Sequence, residues 1–146
     1  GWSYAHARRQ WSLSTNGFLR YSFLGEFDKA MIGLMRRYGV LASGFAYNHL
    51  MDETNKTIVY SHRGDLLFVF NWHPSASIPD YEMPVQAPGK YVPVLSTDER
   101  RFGGQQRQAM DAEHFSFPAR DGDNTERPHI RIYNTSRTAT VYLRKK

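Results

Sequence analysis

A chain of 146 residues without cysteine can form one domain with its own core, but neither a disulfide framework nor a thiolate zinc site. Its apolar runs fall short of the about 18 residues that a membrane-spanning helix needs, so we predict no membrane contact. The formal net charge of +5 arises from bases scattered among acids, which argues against a nucleic-acid-binding stripe.

The first 13 residues combine two tryptophans and a tyrosine with several bases, and no methionine precedes them. This composition is typical of a segment from inside a longer polypeptide. We therefore expect the chain to be one piece of a larger protein.

Residues 14–39 have the pattern of an amphipathic helix. Ser14 or Thr15 is a suitable N-cap, Arg36 and Arg37 would lie in the last turn, and Gly39 can adopt the left-handed conformation that ends a helix. One apolar stripe with a period of 3.6 is formed by Leu19, Phe23, Phe27, Ala30, Met31, Leu34, Met35 and Tyr38.

Two glycines interrupt this helical pattern. Gly25 and Gly33 each cost about 1 kcal/mol relative to alanine in a helix interior, so they indicate close packing against a neighbour or a break near Gly25. The pattern fits one long helix, or a short helix leading into a longer one. Because exposed apolar stripes are unfavourable, we expect residues 19–38 to pack on the rest of the chain or on a second copy.

Short runs rich in β-branched and aromatic residues follow Gly44, separated by polar turns. Strands at this spacing indicate an antiparallel Greek-key β sandwich, so the fold class is mainly β with one preceding helix. The two predicted domains are residues 1–40 and 41–146, with residues 103–127 as a surface loop. The predicted strands are residues 45–51, 56–62, 66–72, 78–85, 90–96, 129–133 and 138–144.

Two predicted strands define the expected core. Residues 66–70 are apolar without alternation, which is typical of a central strand covered on both faces, with residues 66, 68 and 70 on one side and 67 and 69 on the other. In the last strand, Val141 and Leu143 alternate with polar residues and should close the sandwich. Pro93 removes a ladder donor and predicts an edge or a bulge in its strand.

No motif in the sequence supports a catalytic, cofactor-binding or metal-binding site. Residues 121–126 lack the spacing of an EF-hand loop, and the histidines are too far apart in sequence to indicate a metal set. The remaining candidates are aromatic rings, which stack on the apolar faces of sugars but more often pack in cores or between domains. These candidates are Trp2, Tyr4, Trp11, Trp72 and Tyr81.

Several ordered blocks of the sequence resemble α-1,4-glucan branching enzymes of the α-amylase family. Residues 1–13 and 19–31 are similar to the end of the family's catalytic barrel. The blocks similar to its C-terminal β domain are residues 63–74, 88–91, 102–104, 114–115, 127–129 and 136–139.

The resemblance implies a parent protein with a carbohydrate-binding module, a (β/α)8 barrel and this C-terminal piece. The family's two Asp and one Glu carry out retaining transglycosylation and form α-1,6 branches in glycogen biosynthesis. These residues would precede Gly1, so the resemblance implies an inactive piece that contacts the catalytic barrel and stabilises it. The lack of cysteine fits a cytoplasmic protein.

A second hypothesis is a self-standing carbohydrate-binding module that recruits α-glucan through exposed aromatic rings. Loss of glucan binding on substitution of Trp72 would favour it over the first hypothesis. A homodimer through residues 19–38 is an alternative way to cover the helix. No cofactor is expected under either hypothesis.

Overall fold

The computed structural model describes residues 10–145. Two helices precede nine strands, and two short 3-10 turns lie at Val40–Ala42 and Arg100–Phe102. The helices are α1 (Trp11–Thr15) and α2 (Tyr21–Arg37); the strands are β1 (Tyr47–Asp52), β2 (Thr57–His62), β3 (Leu66–Asn71), β4 (Ile78–Pro84), β5 (Lys90–Ser96), β6 (His114–Phe115), β7 (Phe117–Arg120), β8 (Glu126–Asn134) and β9 (Thr138–Lys145).

The strands form two antiparallel sheets, one of six strands in the order β1-β2-β3-β9-β5-β6 and one of three in the order β4-β8-β7. The chain crosses between the sheets after β3, after β4, after β6 and after β8. The predicted mainly β fold with antiparallel sheets and one long helix is confirmed.

The core between the two sheets contains apolar residues from both of them. Leu67 and Val69 of β3 and Tyr142 of β9 point inward from the six-stranded sheet, and Met83 and Ile130 meet them from the three-stranded sheet. All five are buried. We call this side of the six-stranded sheet the inner face, and the opposite side the outer face.

The outer face of the six-stranded sheet packs against α2. Leu66 and Phe68 of β3 are buried there with Leu34 of the helix. The predicted opposite orientation of residues 66 and 68 relative to 67 and 69 is therefore confirmed. β3 has β2 and β9 as neighbours, so it is a central strand as predicted.

The predicted role of the last strand in closing the sandwich was wrong. Val141 and Leu143 belong to the outer face and pack toward α2, whereas Tyr142 lies in the core between the sheets. The register explains this orientation, because Val141 is opposite Phe68 and Tyr142 is opposite Leu67, and directly opposed residues share a face.

The helical region consists of a short helix followed by a longer one, which is one of the two forms that the sequence allowed. The predicted N-caps were wrong: Ser14 and Thr15 end α1, and their hydroxyls donate to the Trp11 carbonyl at 2.8 and 3.4 Å. Arg36 and Arg37 do lie in the last turn of α2, and Gly39 is left-handed with φ 57°.

The sequence indicated that Gly25 and Gly33 allow close packing against a neighbour or mark a break in the helix, and the structure shows neither. α2 continues through Gly25, and a Cβ atom at Gly25 or Gly33 would meet no atom of the described chain within 4 Å. Both glycines therefore face open space on the surface of α2.

The segments around β5 differ in part from the prediction. β5 has a register shift between Pro93 and Leu95, which confirms the bulge at Pro93; it is not an edge strand, because β6 pairs with Lys90 and Tyr91. The predicted loop of residues 103–127 contains β6 and β7, which are too short to produce a recognisable alternation. Within residues 10–145, no helix is both long and apolar enough to cross a membrane.

Candidate functional site: an uncovered helix face and an exposed tryptophan

The structure describes three of the five candidate aromatic rings. Trp2 and Tyr4 lie outside the described residues, and Trp11 is exposed on α1. Trp72 directly follows β3 and is 66% exposed. The rings of Trp11 and Trp72 are therefore accessible in the chain.

The prediction that Tyr81 faces a sugar was wrong. Tyr81 is only 8% exposed and belongs to the core between the sheets, because it lies on β4 opposite Ile132 of β8. Its hydroxyl donates to Asp52 Oδ2 at 2.7 Å. Burial, together with this carboxylate, raises the pKa of Tyr81 well above its ordinary value.

Trp72 ends a row of stacked aromatic rings on the outer face. Its ring lies 5.8 Å from that of Phe70, Phe70 lies 5.7 Å from Tyr60, and Tyr60 lies 5.0 Å from Phe68, with interplanar angles of 10°, 14° and 11°. α2 buries the Phe68 end of the row and leaves the Trp72 end open. One flat face of Trp72 is thus available to a ligand or to another polypeptide.

A groove of about 220 Å³ adjoins Trp72 at the end of the β1–β2 hairpin. Met51, Asp52, Glu53, Lys56 and Ile58 line it together with Trp72, and most of the lining surface is apolar. This arrangement provides an aromatic platform with polar groups beside it.

The second exposed surface belongs to α2. Successive residues of a helix lie about 100° apart, so Leu24 and Met31 form a stripe beside the buried one, and Ile32 and Tyr21 continue it. Together the two stripes cover an arc of about 200°, and the side chains of Tyr21, Leu24 and Ile32 on one side of it are exposed. Leu24 is 66% exposed, and Leu41 beyond the helix is 89% exposed.

The sequence prediction counted only one apolar face, in which it included Met31 and Met35, and it left out Tyr21, Leu24 and Ile32. Their spacings of three and eight residues fit the helical period and could have identified the second stripe. A groove of about 520 Å³ runs along its C-terminal half and is lined by Met31, Ile32, Met35, Arg36, Gly39, Leu41 and Ala42. Such a surface fits the side chains of a neighbouring polypeptide.

A polar cluster lies at the opposite end of the sandwich. Ser61 Oγ is 2.9 Å from His49 Nε2 and donates to Gln86 Oε1 at 2.9 Å. Burial, followed by the positive charge of Arg127, lowers the pKa of His49 from 6.5 to about 4, so this histidine is neutral near pH 7. Nearby, His129 Nε2 lies 2.9 Å from Asp121.

The described part of the chain brings no three His, Asp or Glu side chains close enough together to hold a metal ion. The cluster at His49 is instead held by hydrogen bonds between its own members. The two exposed surfaces, on α2 and at Trp72, are therefore the candidate sites.

Residues 47–145 match the family described as "Alpha amylase, C-terminal all-beta domain". Since this match covers more than half of the chain, the chain belongs to that family. The matched range begins at β1 and ends at β9, and so contains both sheets.

Curated relatives give a more specific resemblance. A "1,4-alpha-glucan-branching enzyme" of Solanum tuberosum is 44% identical over 80% of this chain and 14% of its own length. One of Rhizophagus irregularis is 40% identical over 95% of this chain and 20% of its own length, and a rice enzyme called chloroplastic/amyloplastic is 37% identical over 98% and 18%. The resemblance to branching enzymes is confirmed, and the chain spans a fifth or less of these relatives.

Proposed function

We propose that this chain is the non-catalytic C-terminal β domain of a 1,4-alpha-glucan-branching enzyme, where it supports the catalytic part through α2. The observation that carries this proposal is the uncovered stripe of α2, led by Leu24. A full-length enzyme of the relatives' size has about four-fifths of its residues elsewhere, and those residues can cover the stripe. The parent would form α-1,6 branches by retaining transglycosylation in glycogen biosynthesis.

The compartment is also part of this proposal. A cytoplasmic parent fits the absence of cysteine, although the names of some plant relatives place those proteins in plastids. Fractionation of the source cells, followed by detection of the parent, tests this assignment. Detection in an organelle would contradict it.

A chimera tests the role of α2 directly. In the Solanum tuberosum enzyme, the aligned segment is replaced by this chain, and branching is measured as loss of iodine staining of amylose. Leu24→Asp should lower the thermal stability and activity of the chimera, because it places a charge in an apolar contact. Lys29→Asp is the matched control, since it puts the same residue on the polar side of the same helix.

Equal loss from both substitutions would contradict the proposal, as would no loss from Leu24→Asp. The 146-residue chain alone should leave amylose staining unchanged. Modification of amylose by the pure chain would show that it carries its own active site.

In isolation, the same stripe is available to a second copy. We propose that the chain self-associates through residues 19–38 when no catalytic part is present. Sedimentation at increasing concentration should show a monomer–dimer equilibrium that Leu24→Asp shifts toward monomer and Lys29→Asp does not. A monomer at all concentrations would contradict this association.

The exposed face of Trp72 favours a second candidate function, an α-glucan-binding module. In affinity electrophoresis, glycogen in the gel would retard the chain, and Trp72→Ala would abolish the retardation. Phe115→Ala is the control, because Phe115 is 65% exposed on β6, away from the stacked row. Equal mobility with and without glycogen would contradict this candidate.

A further inference from the structure

Residues 96–108, which we call the anchor loop, connect the end of β5 to the long segment before β6. We propose that the anchor loop is a coupling element that holds the N-terminal half of α2 on the sandwich, with the Asp98–Arg107 ion pair as its lock. This inference does not depend on the proposed function, because it concerns contacts within the chain.

The acidic half of the lock is a buried carboxylate with hydrogen bonds to both of its oxygens. Asp98 is buried and accepts hydrogen bonds from the backbone N–H groups of Gln105 and Arg107 at 3.2 and 2.8 Å. The Arg107 guanidinium donates hydrogen bonds to the same carboxylate from Nε and Nη2, both at 3.1 Å. Burial alone would raise the pKa of Asp98, but the hydrogen bonds and charge of Arg107 bring it below its ordinary value.

Arg107 also ties the anchor loop to the junction of the two sheets. Its guanidinium donates to the Ser136 carbonyl at 2.9 Å and to the Ser136 hydroxyl at 3.1 Å. Ser136 lies in the connection where the chain passes from β8 in one sheet to β9 in the other. A single side chain therefore fixes the loop relative to both sheets.

A second set of polar contacts reaches into the sandwich itself. The buried Gln108 donates to the Tyr142 hydroxyl and accepts from Thr140 Oγ1 at 3.2 Å. Ser96 Oγ accepts from the Asp98 N–H at 3.2 Å and lies 3.2 Å from Thr140 Oγ1. The base of the anchor loop is thus continuous with β9.

The tip of the anchor loop contacts α2. Phe102 meets Phe27 edge to face, with ring centroids 5.3 Å apart, and the Arg101 guanidinium lies 4.4 Å from the Phe102 centroid. Gly103 has φ 76°, and a Cβ atom there would come within 2.9 Å of the Phe23 ring. The tip is shaped to the N-terminal half of the helix.

The glycine after the tip keeps the loop tightly folded. A Cβ atom at Gly104 would lie 2.2 Å from the Asp98 carbonyl oxygen, so only glycine fits. The backbone of Asp98 therefore lies directly against the tip. A displacement of the Asp98–Arg107 pair would consequently displace Phe102 and Gly103 as well.

Hydrogen–deuterium exchange of the 146-residue chain tests this coupling. Phe102→Ala removes the contact at the tip, and Arg107→Gln opens the lock at the base. Each variant should accelerate exchange over residues 21–29, the N-terminal half of α2, by about tenfold, while exchange in β3 and β9 stays unchanged. Arg131→Gln is the matched control for the ion pair, because its bond to Glu82 at 3.1 Å lies on the surface.

The double variant distinguishes coupling from independent effects. If both residues act through one loop, Phe102→Ala with Arg107→Gln should accelerate exchange in α2 no more than the stronger single variant. Additive acceleration would overturn the inference, as would unchanged exchange in α2 or parallel acceleration in β3. If Arg107→Gln does not fold, the localised effect of Phe102→Ala decides the outcome.

Discussion

Both faces of the six-stranded sheet carry apolar side chains, but a second sheet covers the inner face and a helix covers the outer face. The inner face meets a second sheet along its length, and Val59, Leu67 and Val69 are almost completely buried there. The outer face meets a single helix, which covers Phe68 but leaves Trp72 open. An outer face rich in aromatic residues is unusual for a sheet that faces water on one side.

The last strand shows the consequence most clearly. β9 turns two threonines and Tyr142 toward the other sheet, and turns Val141 and Leu143 outward. Its more apolar side is thus the side that the helix covers. This difference indicates that the sheet is the middle layer of three, with the second sheet on its inner face and the helix on its outer face.

The largest expected effect comes from truncating a large ring on either face. Phe68→Ala on the outer face should lower the free energy of unfolding by about 3–5 kcal/mol, because it leaves a cavity between sheet and helix. Tyr81→Ala on the opposite sheet should cost a similar amount, since this ring is buried and hydrogen-bonded to Asp52. Urea denaturation of both variants measures the two losses.

Phe115→Ala is the control for these truncations, because it removes an equally large ring that is 65% exposed. A near-neutral Phe68→Ala would show that the helix layer adds nothing to the sheet. The comparison of the two faces would then fail.

The next effect concerns the helical layer alone. Leu34 is the buried residue of α2, and Leu34→Ala should cost about 2–3 kcal/mol, the lower part of the range for buried leucine. Denaturation followed separately by helix and sheet signals should show α2 lost first. A single unchanged transition would mean that the helix contributes little to the fold.

The sequence predicted the central strand well because local pattern determines it. An unbroken apolar run such as residues 66–70 requires cover on both faces wherever its neighbours lie. The C-terminal end of α2 could be predicted equally well, because Arg36, Arg37 and Gly39 stabilise the helix end through contacts within one turn.

The sequence could not show which side of a strand packs against the second sheet and which side packs against the helix. Whether Val141 or Tyr142 points inward depends on the register of β9 with β3, which is a long-range property. Tyr81 was misplaced for the same reason, because the bulged register between Ile78 and Tyr81 sets its orientation. The contacts of the anchor loop depend on residues far apart in sequence, such as Arg107 and Ser136.

A smaller effect should appear with pH at the end of the sandwich that holds His49. The folded pKa of His49 lies near 4 and its unfolded value near 6.5, so the neutral form is favoured in the folded chain. Its contribution to stability is complete above pH 6.5 and is lost as the pH falls toward 4. Burial lowers the pKa of His114 as well, which acts in the same direction.

His49→Gln should therefore weaken the decline in melting temperature between pH 7 and pH 4.5 without removing it. The lowered pKa values of Asp52 and Asp98 affect stability mainly below their ordinary value of 3.8, so most of that loss falls outside this window. An equally steep decline in the variant would show that His49 is not the responsible group.

The smallest expected effect is on the uncovered side of α2. Leu24→Ala removes a side chain that is 66% exposed, and surface substitutions of this kind change the free energy of unfolding by less than about 0.5 kcal/mol. Urea denaturation of the dilute chain, where self-association is absent, should therefore barely distinguish the variant from the parent. The same substitution in the chimera should cost more, because there the other four-fifths of the enzyme would cover Leu24. A loss in the isolated chain as large as that of Leu34→Ala would show that the isolated chain already buries Leu24. Equal small losses in the isolated chain and in the chimera would show that no other part of the enzyme covers Leu24.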